Sequence, residues 1–138
     1  MIGCAHIGAE NHVDEYAVAS LKFDSGIIAQ LTCGLRLTLE NNVRIWGTKG
    51  SIVVPSPWFG GHGPGFSKII IFKGGIPDEI VVESDLGLYA TEADHVAGHI
   101  AARQAPAVPW DDSLGNMRTL DAWRKSIGLT YAADELRS

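Results

Sequence analysis

Glu15-Tyr16-Ala17-Val18-Ala19-Ser20-Leu21-Lys22-Phe23-Asp24-Ser25-Gly26-Ile27-Ile28-Ala29-Gln30-Leu31-Thr32-Cys33-Gly34 reads as two strands folded about a glycine turn. Side chains alternate along a strand, so Tyr16 and Val18 share one face while Ala17, Ala19, Leu21 and Phe23 share the other. Asp24-Ser25-Gly26 is a three-residue hairpin loop with glycine where positive φ is needed. On the return, Ile27, Ala29, Leu31 and Cys33 fall on one face. Apolar side chains thus stand on both faces of the hairpin, whereas a sheet with one wet face alternates cleanly with polar residues. Both faces need cover.

The alternation continues outward to residue 83. Val43–Trp46 and Ile52–Val54 flank the turn Gly47-Thr48-Lys49-Gly50 and form a second hairpin. Pro55-Ser56-Pro57 stops that strand, since proline removes a ladder donor. The stretch 59–65 is too glycine-rich for regular structure. Lys68–Phe72 and Glu79–Glu83 read as two more strands, joined through 74–78. About six strands result, mostly antiparallel. The period then changes. Ala93, Val96, Ala97, Ile100 and Ala101 mark one apolar helix face, which Pro106 and Pro109 end. Asp111 or Asp112 can cap a second helix, in which Leu114, Met117, Leu120, Trp123 and Ile127 lie to one side. The expectation is an α+β fold of one domain, 1–138: an open antiparallel sheet with two C-terminal helices on one face. The free face is then a subunit interface, and a second copy of the chain is its economical occupant.

Composition narrows the function. The chain has 138 residues, 46% hydrophobic and 20% charged, enough to bury a core and unlike a disordered segment. A net charge of −5 argues against nucleic acid, whose phosphates demand basic patches. No apolar run approaches the roughly 18 residues that span a bilayer. The start, from Met1 to His6, lacks the blocks of a signal peptide, so cytoplasm is the expected setting. Cys33 is expected to be buried in its strand, and Cys4 to lie in a frayed N-terminus. No disulfide is expected between them in a reducing compartment.

The last third carries a further pattern. It runs Tyr89-x-x-Glu92-x-x-His95-x-x-x-His99-Ile100, then Pro109-Trp110-Asp111-Asp112-Ser113, and closes on Leu120-Asp121-x-x-Arg124-x-x-Ile127-Gly128-Leu129-x-Tyr131. Together with Asp14-Glu15-x-Ala17-x-Ala19-x-Leu21-x-Phe23-x-x-Gly26 and Ile45-Trp46-Gly47-Thr48-Lys49-Gly50-Ser51-Ile52, it resembles the C-terminal region of the Gfo/Idh/MocA oxidoreductases. Thr48-Lys49-Gly50, Pro57-Trp58 and Glu92-Ala93-x-His95-Val96 most resemble the branch of dimeric dihydrodiol dehydrogenases and NADP-dependent D-xylose dehydrogenases. The resemblance implies a sheet domain that walls a substrate pocket and builds a dimer. It implies hydride transfer between NAD or NADP and a sugar, cyclitol or related alcohol in an intact enzyme. The family's Rossmann domain, its Gly-x-Gly-x-x-Gly turn, its Glu-Lys-Pro motif and its Asp-x-x-x-His pair have no counterpart in this sequence. No catalytic residue is therefore carried over, and this chain alone is expected to bind no cofactor. By the same resemblance Trp58 lines the substrate pocket. Chemically, an indole offers a flat apolar wall and one N–H donor. Tyr89, just before the helix, has a similar claim. The plain alternative for both is ordinary packing.

Other constellations have bland readings. Glu92, His95 and His99 share a helix face, but Arg103 joins them opposite the apolar stripe, as on a solvated surface; no metal site is inferred. Gly60-Gly61-His62-Gly63-Pro64-Gly65 runs into a strand rather than a helix, so it is a loop and not a phosphate cradle. Asp111-Asp112 suit a helix start without any acid–base role. The sequence thus leads to the substrate-side and assembly half of a dehydrogenase, with its Rossmann partner in cis or in trans. The rivals are a free-standing homodimeric binding module and one half of a split enzyme.

Overall fold

A computed structural model describes residues 1–58 and 65–135. Seven strands and three helices follow one another: β1 (Ile2–Ile7), β2 (Asp14–Lys22), β3 (Ile28–Gly34), β4 (Asn42–Gly47), β5 (Gly50–Pro55), β6 (Gly65–Lys73), β7 (Ile76–Ser84), α1 (Leu88–His99), α2 (Trp110–Ser126) and α3 (Ala132–Glu135). The fold is α+β and mostly antiparallel sheet, as the alternation requires. The seven strands hydrogen-bond as two sheets, in the orders β1-β2-β3 and β4-β5-β6-β7. The chain divides into two compact units, Met1–Leu39 with Val108–Ser138, and Glu40–Ala107.

In the first unit β2 pairs with β3 across the expected hairpin, Ala17 opposite Cys33 and Ala19 opposite Leu31. The turn closes by Phe23 N–H to Ile27 C=O, and Gly26 takes φ 86°. The residues expected to fray form an additional strand instead, with Cys4 opposite Val18 and Ala5 opposite Ala17. Ala17, Ala19 and Trp123 make the core, with Ala5, Leu21 and Ile127 packed around them. A Cβ at Gly3 would sit 2.6 Å from Ser126 Oγ and 3.0 Å from Trp123 Cδ1, so α2 can approach β1 only over a glycine. The opposite face carries Tyr16 and Val18, both exposed. Cys33 is exposed rather than buried, and both cysteines are free.

In the second unit Val43, Ile45, Ile52, Val54, Ile69 and Ile71 fall on one face of the four-stranded sheet by register. Val53, on the other face, is the buried residue of β5. Gly74 and Gly75, at φ 65° and 84°, turn β6 tightly into β7, a shorter link than the sequence suggested. Pro77 then costs little, since β7 is an edge strand. α1 ends at His99, earlier than the two prolines require, and Arg103 adopts φ 60° beyond it. Its apolar stripe stays open: Val96 and Ile100 are exposed, and no residue of α1 is buried. Asp111 and Asp112 do not cap α2. Pro109 is its N-cap, and the two acids lie in the first turn, where the helix dipole favours them.

Candidate functional site

Both candidate pocket residues belong to the second unit. β5 stops at Pro55, and Ser56, at φ 49°, turns the chain while its N–H bonds to Asn41 C=O at 2.6 Å. That anchor ties the segment carrying Trp58 to the start of β4. The Trp58 indole is 60% exposed. Tyr89 is presented differently. Thr91 N–H and Thr91 Oγ1 both donate to Gly87 C=O, fixing the first turn of α1, and the Tyr89 side chain is 69% exposed there. Each ring therefore offers an open apolar face with one polar hydrogen. They make no ring contact with each other among the described residues. Residues 60–64 of the glycine-rich loop lie outside the described residues.

On α1, His95 and His99 lie with ring centroids 4.6 Å apart, and His99 Nδ1 is 2.8 Å from the His95 carbonyl oxygen. Among the described residues, no group of three or more His, Cys, Asp or Glu is placed to hold a metal ion. No helix among them is long and apolar enough to cross a membrane.

Two polar nodes escaped the sequence reading, and both sit at the start of β2. Glu15 is on the inward parity with Ala17 and Ala19, and its carboxylate is only 10% exposed. It accepts from Arg36 Nη1 at 2.8 Å and Asn11 Nδ2 at 3.3 Å, with His6 Nε2 at 3.7 Å. Its backbone carbonyl accepts Leu35 N–H at 2.8 Å, so one residue holds both ends of the three-stranded sheet's loops. At Asp14, on the other face, Tyr131 O–H donates to Oδ1 at 3.2 Å. Arg124 lies over the Tyr131 ring at 4.4 Å and pairs with Asp134. Burial raises the Tyr131 phenol above its ordinary range, and the Asp14 charge adds to this. Burial, then Asp14, likewise raises the Cys33 thiol. The signal was the parity of Glu15: a carboxylate at an inward strand position has to find donors. The Asp14 node clamps Tyr131 to the sheet, and the Glu15 node ties β1, the β1–β2 loop and the segment after β3 to the start of β2.

The described residues do not fit a nicotinamide nucleotide. Such a site needs a parallel βαβ unit with a glycine turn opening a helix. Here every strand pair is antiparallel, and the glycine-rich stretch leads into β6.

Residues 3–53 match the family described as GFO/IDH/MocA C-terminal domain. The chain is 27% identical over 134 residues to trans-1,2-dihydrobenzene-1,2-diol dehydrogenase of Mus musculus. That alignment covers 91% of this chain and 38% of the mouse protein, so the chain spans well under half of its relative. No solved structure gives a significant match. The motifs, the family match over residues 3–53 and the aligned dehydrogenase all point to one family, the Gfo/Idh/MocA oxidoreductases, to whose C-terminal domain this chain is similar.

Proposed function

We propose that this chain is the substrate-side and assembly half of an NAD(P)-dependent oxidoreductase. The intact enzyme acts on a sugar, cyclitol or related alcohol, and the nucleotide is held by a Rossmann domain in cis or in trans. The observation that carries this is the alignment, in which 91% of the chain corresponds to 38% of a dehydrogenase. The mouse relative is named for a vicinal ring diol, which belongs to the same chemical class as the proposed substrates. Trp58 and Tyr89 wall the pocket. Their exposed rings suit the flat side of a sugar or carbocycle, and the indole N–H and phenol O–H suit its hydroxyls.

On this reading the chain alone transfers no hydride, since its described residues form no parallel βαβ unit to hold the nicotinamide nucleotide. Its open apolar surfaces support an assembly role. α1 has no buried residue, and neither does β7. In the three-stranded sheet α2 covers one face, while Tyr16 and Val18 stand open on the other with Ile2 and Ile28 near its margins. A second copy of the chain covers that face.

Titration of the 138-residue chain with NADH and NADPH, followed by nucleotide fluorescence, tests the cofactor statement. No saturable change is expected with either nucleotide; a saturable enhancement overturns it. Binding of a small sugar by a stable homodimer that recruits no nucleotide-binding chain would favour a free-standing module.

A further inference from the structure

At the turn between β4 and β5 the surface of the four-stranded sheet dips into a depression of about 430 Å³, within the size range of small-molecule sites. Ile45, Ile52 and Ile71, side by side in register, line it as an apolar floor. Gly47 and Gly50 leave the backbone bare at its edge. Glycine is needed at 50, where φ is 152° and a Cβ would strike the Phe72 carbonyl oxygen. Lys49 and Lys73 both line the depression, and no acidic residue does.

Charge makes this place unusual in the molecule. The chain carries a net −5, yet two lysines line this one small depression, and the nearest carboxylate by register is Asp78, one strand over and opposite Ile71. Lys68 on the same sheet pairs with Glu79 at 2.7 Å, whereas Lys49 and Lys73 have no ion-pair partner among the described residues. An isoleucine floor offers nothing to a polyol's hydroxyl groups, and a neutral apolar ligand leaves the ammonium groups unused. A ligand with an anionic head and an aliphatic body uses both features. We propose that the depression binds a small organic carboxylate with an unbranched aliphatic tail, its head between Lys49 and Lys73 and its tail on Ile45, Ile52 and Ile71. Trp58 and Tyr89 do not line it, so the site is independent of the proposed substrate pocket.

The test is an amide-resolved NMR titration of the 138-residue chain with sodium octanoate, with acetate and 1-octanol as probes of head and tail alone. Octanoate is expected to give saturable shifts at Gly47, Lys49, Gly50 and Lys73. Acetate and octanol should bind at least tenfold more weakly. The variant K49Q/K73Q, with an otherwise unchanged spectrum, should weaken octanoate at least tenfold. Absence of saturable shifts, equal binding of octanol, or unaltered octanoate affinity in K49Q/K73Q overturns the proposal. So do shifts at these amides that follow protein concentration and ignore octanoate, since a second copy would then occupy the depression.

Discussion

Glu15→Ala should destabilise the three-stranded sheet by an amount that the structure allows to be worked out. The carboxylate is 10% exposed and accepts from Arg36 at 2.8 Å and Asn11 at 3.3 Å. A hydrogen bond to a charged group contributes about 1.5–3 kcal/mol net. Arg36, however, is 72% exposed, and water recovers much of what it loses, which brings this pair down to about 1–2 kcal/mol. The longer Asn11 bond adds about 0.5 kcal/mol. Glu15→Ala should therefore cost about 1.5–2.5 kcal/mol in total. Glu15→Gln keeps an acceptor in place and should cost about 0.5–1 kcal/mol. Arg36→Ala leaves a shielded carboxylate with weaker partners and should cost about 1–2 kcal/mol, despite removing an exposed side chain. Urea unfolding followed by circular dichroism measures all three, with an unchanged m-value as the control for two-state behaviour. The decisive quantity is the double-mutant cycle. Glu15→Ala/Arg36→Ala should fall short of the sum of the single costs by about 1 kcal/mol. Additivity within about 0.3 kcal/mol would refute the reasoning, because the node would then hold nothing.

Three further outcomes follow from the same geometry. Trp123→Ala should cost about 3–5 kcal/mol by urea unfolding, the largest single loss, since Trp123 is the one large side chain in the core with Ala17 and Ala19. Tyr131→Phe should cost about 0.5–1.5 kcal/mol by the same method and should flatten the alkaline limb of stability against pH. The sign follows from linkage: the folded-state phenol is raised above its ordinary value of 10.0, so its contribution is complete below that pH and is lost as pH rises through the folded value. Val18→Asp, on the open face of the three-stranded sheet, should leave the chain's own stability within about 0.5 kcal/mol, and under the proposed assembly it should turn a dimeric mass into a monomeric one in analytical ultracentrifugation; a monomeric unsubstituted chain, or a dimer that the substitution leaves unaltered, would overturn that interface.

The hairpins were legible because alternation and glycine turns are local properties: Gly26 and the pair Gly47/Gly50 turn the chain where the sequence put them. β1 was not legible. Its inward positions include Gly3 and Ala5, which look like weak strand residues until α2 is seen pressing against them. Two sheets rather than one could not be read either, because a period of two marks strands and says nothing of which strands bond. Arg103 shows the same limit, since no residue type announces a positive φ there and α1 stops before its prolines. Of the candidate site, Trp58 and Tyr89 came from the family resemblance alone. Their exposure is a structural finding that periodicity did not supply. Glu15 was available to a stricter reading, for its parity places a carboxylate beside Ala17 and Ala19.

The central claim is that this chain is half of an oxidoreductase. Its most direct test is the mass of the endogenous product in the source cells, by immunoblot with an antibody raised against the chain, together with the identity of what co-purifies. The account predicts a species well above 14.8 kDa, or a 14.8 kDa species that brings a nucleotide-binding polypeptide with it. A 14.8 kDa species that purifies alone and oxidises an alcohol with NAD or NADP would contradict it.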